Sequence, residues 1–288
     1  MSTYQSLDVL IQDDPNLPIY GTLYQTYTSQ KSQAPTIFYL HGGGLIFGDR
    51  KDLPHQYIDQ LTVAGYNLFS VDYPLAPESK LPEILASIAV SIDWFLDHAV
   101  DTLDLKNDHY ILMGRSAGAY LALYQAVHHQ VPAKGAIAFY GYFNLNEAAF
   151  SVPSRHFLTY PKVTANQMIR LTSEQPIVEG SMNDRYPIYI GARQSGTWQD
   201  LFLAGKGDAK GYSIEKNDLK NLPATFITAA SGDPDVPVRQ SKLLHKAAPN
   251  SHLHIVDSDL HDFDRTEIDG IGMATYQELL TWLNTLFG

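Results

Sequence analysis

Apolar residues recur along the chain in two alternating patterns. Short runs at 35–40 (PTIFYL), 66–73 (YNLFSVDY), 109–113 (HYILM), 135–140 (GAIAFY), 224–230 (ATFITAA) and 251–256 (SHLHIV) are nearly continuous in hydrophobicity. That pattern predicts strands buried on both faces, as in a parallel sheet. Residues 4–12 and 19–28, separated by DDPNLP, predict two further strands joined by a turn. Between them lie stretches with helical spacing, at 52–64, 82–99, 117–129, 238–247 and 272–286. In the second, Ile84, Leu85, Ile88, Ile92, Phe95 and Leu96 make one stripe, with Pro82 suited to the first turn. Strand–helix alternation at this spacing predicts an α/β protein with a doubly wound, mostly parallel sheet of about eight strands.

One region breaks the rhythm. Residues 144–222 are irregular and rich in aromatic residues, Pro, Gly and Asn, with weak helical pieces at 164–173 and 196–204. About 80 residues without alternation inside a compact domain predict an insertion, here a cap over the sheet edge, within a single domain spanning 1–288.

Composition narrows the function classes. The 288 residues carry 20 Lys and Arg against 31 Asp and Glu, a net charge of −11. That excess argues against nucleic acid or an anionic membrane surface as partner. Zero cysteines exclude disulfides, thiolate metal sites and a thiol nucleophile. The start, MSTYQSLDVLIQDDPN, has no basic region followed by an apolar one, and no run reaches a membrane span, so a cytoplasmic protein is expected.

The candidate chemistry lies at strand ends. Gly114-Arg115-Ser116-Ala117-Gly118 sits between the strand HYILM and the helical AYLALYQAVHH. A serine on a strained strand-to-helix turn, flanked by glycines, is placed to act as a nucleophile. His41-Gly42-Gly43-Gly44 directly follows the strand 35–40. Its glycines let main-chain N–H groups approach a ligand, and the amides of Gly43, Gly44 and Ala117 are the natural donors to an oxyanion. A serine nucleophile needs a base and an orienting acid. His261 follows the last strand, and Asp233 and Asp235 follow the one before it, so all lie at the sheet edge of Ser116. Asp233 ends its strand more directly and is favoured over Asp235. His252 and His254 share a strand face, but no third ligand stands at a recognisable spacing, so no metal and no cofactor is expected. Tyr73, Tyr142 and Phe143 lie close in sequence to the site loops and are candidates to line a substrate pocket, or else to pack the core. Tyr186, Tyr189 and Trp198 of the insertion face the same two alternatives.

Three stretches resemble the α/β-hydrolase superfamily, and within it the hormone-sensitive-lipase-like esterases and small carboxylesterases: HGGGLIFGDR at 41–50, DYPLAPESKLPEILASIAVSIDWFLDHA at 72–99, and GRSAGAYLAL at 114–123. The resemblance implies an α/β-hydrolase fold and a serine carboxylesterase that needs no cofactor. Short acyl chains on small alcohols are expected because the compact chain shows no long apolar lid. It implies Ser116 as nucleophile, His261 as base, and Gly43, Gly44 and Ala117 as oxyanion donors. The family spacing D-x-x-V-P, with Ser four residues later, is met by Asp233, Val236, Pro237 and Ser241, which implies Asp233 as the acid. A peptidase with the same three residues, or a binding protein on the same fold, is the alternative. Arg115 stands where the family has an acidic residue, and Pro74 where it has Arg. If those positions normally pair, their joint change is compensated. Asp262 replaces the usual Gly after the histidine.

Overall fold

The apolar runs become the strands of one eight-stranded sheet in a computed structural model that describes residues 3–28, 34–205 and 208–288. The strands are β1 (Tyr4–Gln12), β2 (Ile19–Thr26), β3 (Thr36–Leu40), β4 (Leu68–Val71), β5 (Tyr110–Arg115), β6 (Gly135–Phe139), β7 (Thr225–Ala230) and β8 (Ser251–Val256). Their spatial order is β1-β2-β4-β3-β5-β6-β7-β8. β1 and β2 run antiparallel at one edge, and every pairing from β4 to β8 is parallel. The central strands β3 to β7 are buried along their whole length, whereas β1 exposes most of its residues. Continuous hydrophobicity therefore marks the strands covered on both faces.

The helices are α1 (His55–Val63), α2 (Leu81–His98), α3 (Ala117–His128), α4 (Ala165–Leu171), α5 (Met182–Ser195), α6 (Trp198–Phe202), α7 (Asp208–Gly211), α8 (Arg239–Ala247), α9 (Phe263–Thr266) and α10 (Met273–Phe287). Period-two alternation in β3 divides the core. Ile37 and Tyr39 join Tyr57 of α1 and Tyr276 of α10 on one face, where the two tyrosine rings stack at 3.8 Å. Phe38 and Leu40 join Ile88 and Phe95 of α2 and Leu121 of α3 on the other. Among the described residues no helix is long and apolar enough to cross a membrane.

Two departures from the sequence expectations have physical reasons. β5 runs on through Gly114 and Arg115, because both stay in register with Ala138 and Phe139 of β6. More consequentially, the irregular region holds a fourteen-residue helix, α5, beside the shorter α4 and α6 that its weak patterns had marked. The buried residues of α5 are Arg185, Ile188, Tyr189, Ile190, Gly191, Ala192 and Arg193, of which Arg185, Ile188, Tyr189, Ala192 and Arg193 follow a helical stripe. Two of its inward members are arginines and Pro187 lies within it, so hydrophobic periodicity could not reveal it.

Candidate active site

β5 ends in a turn that the glycines make possible. Ser116 has φ +52° and ψ −118°, a backbone region that costs a non-glycine residue about 1–3 kcal/mol. Its N–H still bonds the Phe139 carbonyl at 2.9 Å, so the strand ladder holds the residue up to the turn. A Cβ on Gly114 would lie 2.0 Å from the Gly118 carbonyl oxygen, and one on Gly118 would lie 2.2 Å from the Leu40 oxygen. Both glycines are thus dictated by main chain meeting main chain. The turn lifts the Ser116 hydroxyl clear of β5, at the N-terminal end of α3, where the helix dipole favours negative charge.

The glycine loop after β3 closes over the same spot. Gly43 and Gly44 have φ of +97° and +62°, and the loop turns back on itself through Ile46 and Phe47 N–H bonds to the Gly43 carbonyl. His41 is fully buried, with its ring stacked on Tyr73 at 4.2 Å and its Nδ1 2.8 Å from the Gly42 carbonyl oxygen. The Tyr73 hydroxyl donates to the His41 carbonyl at 2.8 Å. Among the described residues, none accepts a hydrogen bond from the amides of Gly43, Gly44 or Ala117. Three main-chain donors are thus left without protein acceptors near Ser116, the kind of group that stabilises a developing oxyanion.

The loops after β7 and β8 bring the remaining groups. His261 Nε2 lies 2.8 Å from Ser116 Oγ, and its Nδ1 lies 2.7 Å from Asp233 Oδ2. The other Asp233 oxygen accepts the Asp235 and Val236 N–H groups at 2.8 and 2.9 Å, which fixes the carboxylate. Asp235 faces elsewhere: it accepts from the Tyr189 hydroxyl at 2.8 Å and pairs with Arg193 at 3.1 Å. Burial would lower the His261 pKa, but the Asp233 charge and hydrogen bond, with Asp235 and Asp262 nearby, outweigh it and raise it to about 9. This environment favours an imidazolium.

Ser116 and His261 open on a cavity of about 840 Å³. One wall comes from the irregular region 144–222: Phe157 and Tyr160 from the segment before α4, Tyr186 and Tyr189 from α5, joined by Phe47 of the glycine loop. Of the sequence candidates for a substrate pocket, Tyr73, Tyr142 and Phe143 do not line this cavity. Tyr73 holds His41, Tyr142 stacks on Tyr120 at 5.2 Å, and Phe143 belongs to the core beneath β6 and β7. They follow strands closely enough to remain in the core, the second of the two alternatives their position in the sequence leaves open. Tyr186 and Tyr189 line the cavity, and Trp198 stands behind it.

Sequence reasoning passed over the residues that hold this wall. Arg185, 5% exposed, donates to both Glu78 oxygens at 2.8 and 2.6 Å, to the Ile46 carbonyl at 2.7 Å and to the Ala76 carbonyl at 2.8 Å. Trp198 Nε1 donates to the Gly44 carbonyl at 2.9 Å. Gly48 and Gly180 exchange two main-chain bonds. The signal available was the eight-residue spacing of Arg185 and Arg193, which puts both on one helix face. Arg115 does not look for a partner at position 74: its Nε donates to the Tyr140 hydroxyl at 2.8 Å, and it pairs with Asp264 at 3.3 Å and Asp52 at 3.7 Å. Its charge is met from α9 and from the loop before α1. Among the described residues no three His, Asp or Glu side chains are arranged to hold a metal ion.

Comparison with known proteins places this arrangement in context. A profile of the alpha/beta hydrolase fold matches residues 37–265. The acetyl esterase of Salmonella dublin is 27% identical over 226 residues, 76% of this chain; the aligned part is 61% of that enzyme's length. A Staphylococcus aureus Mu50 protein of unknown function, whose crystal structure is solved, is 30% identical, with a TM-score of 0.85 over 99% of this chain and 100% of that one. An alpha/beta hydrolase superfamily protein from Enterococcus faecalis is 27% identical, with a TM-score of 0.81 over 97% and 98%.

Proposed function

The chain belongs to the alpha/beta hydrolase fold family, and from that premise we propose that it is a serine carboxylesterase acting on small, short-acyl esters. The observation that carries the reading is His261 standing 2.8 Å from the Ser116 hydroxyl and 2.7 Å from the Asp233 carboxylate, at the floor of an open cavity. Ser116 Oγ attacks the ester carbonyl as His261 Nε2 takes its proton. Asp233 holds the imidazole tautomer and stabilises the imidazolium. The carbonyl oxygen, now negative, accepts from the Gly43, Gly44 and Ala117 N–H groups, and such preorganised donors contribute several kcal/mol each to the barrier reduction. His261 returns the proton to the leaving alcohol, and water then repeats the sequence on the acyl-enzyme. The inserted region 144–222 acts as a cap that walls the cavity. The short-acyl preference is supported by the acetyl esterase name of the Salmonella relative.

Hydrolysis of p-nitrophenyl esters from acetate to decanoate tests this reading beside Ser116→Ala. The expected result is an optimum at short acyl chains and a loss of about 10⁴-fold or more in kcat on substitution, with the melting temperature retained. A folded protein with no ester turnover and no fluorophosphonate labelling of Ser116 would overturn it.

A further inference from the structure

The cavity beside Ser116 carries two features that the esterase mechanism does not use. The first is its aromatic side. The Phe47 and Tyr186 rings meet edge to face at 5.4 Å, and Tyr160 meets Tyr186 at 6.3 Å and 88°, so three rings from separate segments present both faces and edges to the same space. All three are only partly buried, unlike the core aromatics. The second is Asp262, next to His261 in the chain and on the cavity lining. It is the N-cap residue of α9, where an aspartate ordinarily bonds a main-chain N–H, yet its side chain makes no such bond. Among the described residues no cation pairs with it and no side chain donates to it. Its charge is felt by Tyr186, whose hydroxyl is pushed up first by burial and then by neighbours that include Asp235 and Asp262. The carboxylate and the ring wall therefore face one volume.

The cations of the lining are already matched by carboxylates, His261 by Asp233 at 2.7 Å. Arg265 is taken by Asp52 at 2.8 Å, and Arg115 by Asp264 and Asp52. Arg193, behind the wall, is taken by Asp235. The carboxylate of Asp49, also on the lining, accepts only a main-chain N–H from Lys51. An aromatic wall attracts a cation through its ring quadrupoles, and an unpaired carboxylate across from it adds a Coulomb term in a partly dry site.

We infer that the Phe47–Tyr160–Tyr186 wall and Asp262 form a cation-selective subsite, so that the preferred substrates are esters bearing a fixed positive charge such as a quaternary ammonium. This inference rests on the esterase reading of the same site and deepens it.

The test compares charged esters with neutral isosteres of the same shape. Acetylcholine against 3,3-dimethylbutyl acetate places the cation on the alcohol; ethyl 4-(trimethylammonio)butyrate against ethyl 5,5-dimethylhexanoate places it on the acyl group. Each kcat/KM is divided by the ester's hydroxide-catalysed rate, which removes intrinsic reactivity. Inhibition of p-nitrophenyl acetate hydrolysis by phenyltrimethylammonium against tert-butylbenzene reads the same preference without requiring turnover of either pair. The expected result is a preference of about tenfold for the charged member in one arm and in the inhibition pair, falling with added salt. In Asp262→Asn and in Tyr186→Leu the ratio is expected to fall by about threefold or more, and the ratio cancels any shared effect on His261. Equal treatment of charged and neutral members would overturn the inference and leave the esterase standing. So would a preference untouched by both substitutions. Absence of turnover of p-nitrophenyl acetate and of fluorophosphonate labelling would instead remove the esterase reading, and this inference with it.

Discussion

The turn that carries Ser116 and the helix that carries Tyr189 border one cavity, but the first is held by main chain and the second by buried charge. Around Ser116, Gly114 and Gly118 press against each other and against the Leu40 and His41 carbonyls, so the conformation follows from excluded volume. Around Tyr189, the contacts that matter are Arg185 on Glu78, Arg193 on Asp235 and Trp198 on the Gly44 carbonyl. The first arrangement tolerates no added atom. The second tolerates change in size but not the loss of a partner, because the group left behind is buried and unpaired. A nucleophile gains from the first kind of support, since its position is set to a few tenths of an ångström. A wall that decides which substrate fits can vary residue by residue under the second.

Substitutions can break this contrast, the most severe first. Gly118→Ala puts a Cβ against two carbonyl oxygens at 2.2 and 2.3 Å, neither of which can rotate away. It should cost more than about 4 kcal/mol or prevent folding, read by soluble yield and urea denaturation. A near-native unfolding midpoint would show that the turn relaxes and that main chain does not dictate it. Arg185→Met strands Glu78 and should cost about 3–5 kcal/mol, again by denaturation. Adding Glu78→Gln should recover part of that loss, and no recovery would deny the pair its role. Trp198→Phe keeps one aromatic ring but removes the Gly44 donor and part of the buried indole, for a loss of at least about 1–3 kcal/mol and a lower kcat with little change in KM.

The smallest effect sharpens the comparison by pH. In the proposed reaction His261 must be neutral to take the Ser116 proton, and its pKa is raised to about 9, so kcat/KM should climb through the alkaline range rather than near neutrality. Asp262→Asn removes a negative charge that favours the imidazolium, so the climb should move to lower pH. A pH–rate profile that stays where it was would show that the charge beyond Asp233 does not reach the base.

Much of the fold and of the candidate site was legible along the chain, for reasons that differ by residue. TIFYL and YILM read as central strands because burial on both faces demands unbroken hydrophobicity. Gly114, Gly118, Gly43 and Gly44 read as special because no other residue fits where they stand. Asp233 and His261 could be placed at one edge because parallel strands put their following loops on the same side. Tyr73, Tyr142 and Phe143 were ambiguous, since a residue just past a strand can turn to the core or to the cavity with no change in local pattern.

By itself, then, the sequence determined the layered α/β architecture, the strained serine turn, the glycine loop and the chain order of serine, acid and histidine. These depend on local sterics and on short-period hydrophobicity, which are properties of neighbouring residues. Only the tertiary structure decided that α5 exists, that Arg185, Arg193 and Arg115 meet their carboxylates, and which aromatics line the cavity. Those outcomes depend on partners tens to more than a hundred residues away, and an arginine that turns inward looks in the sequence like any arginine on a surface.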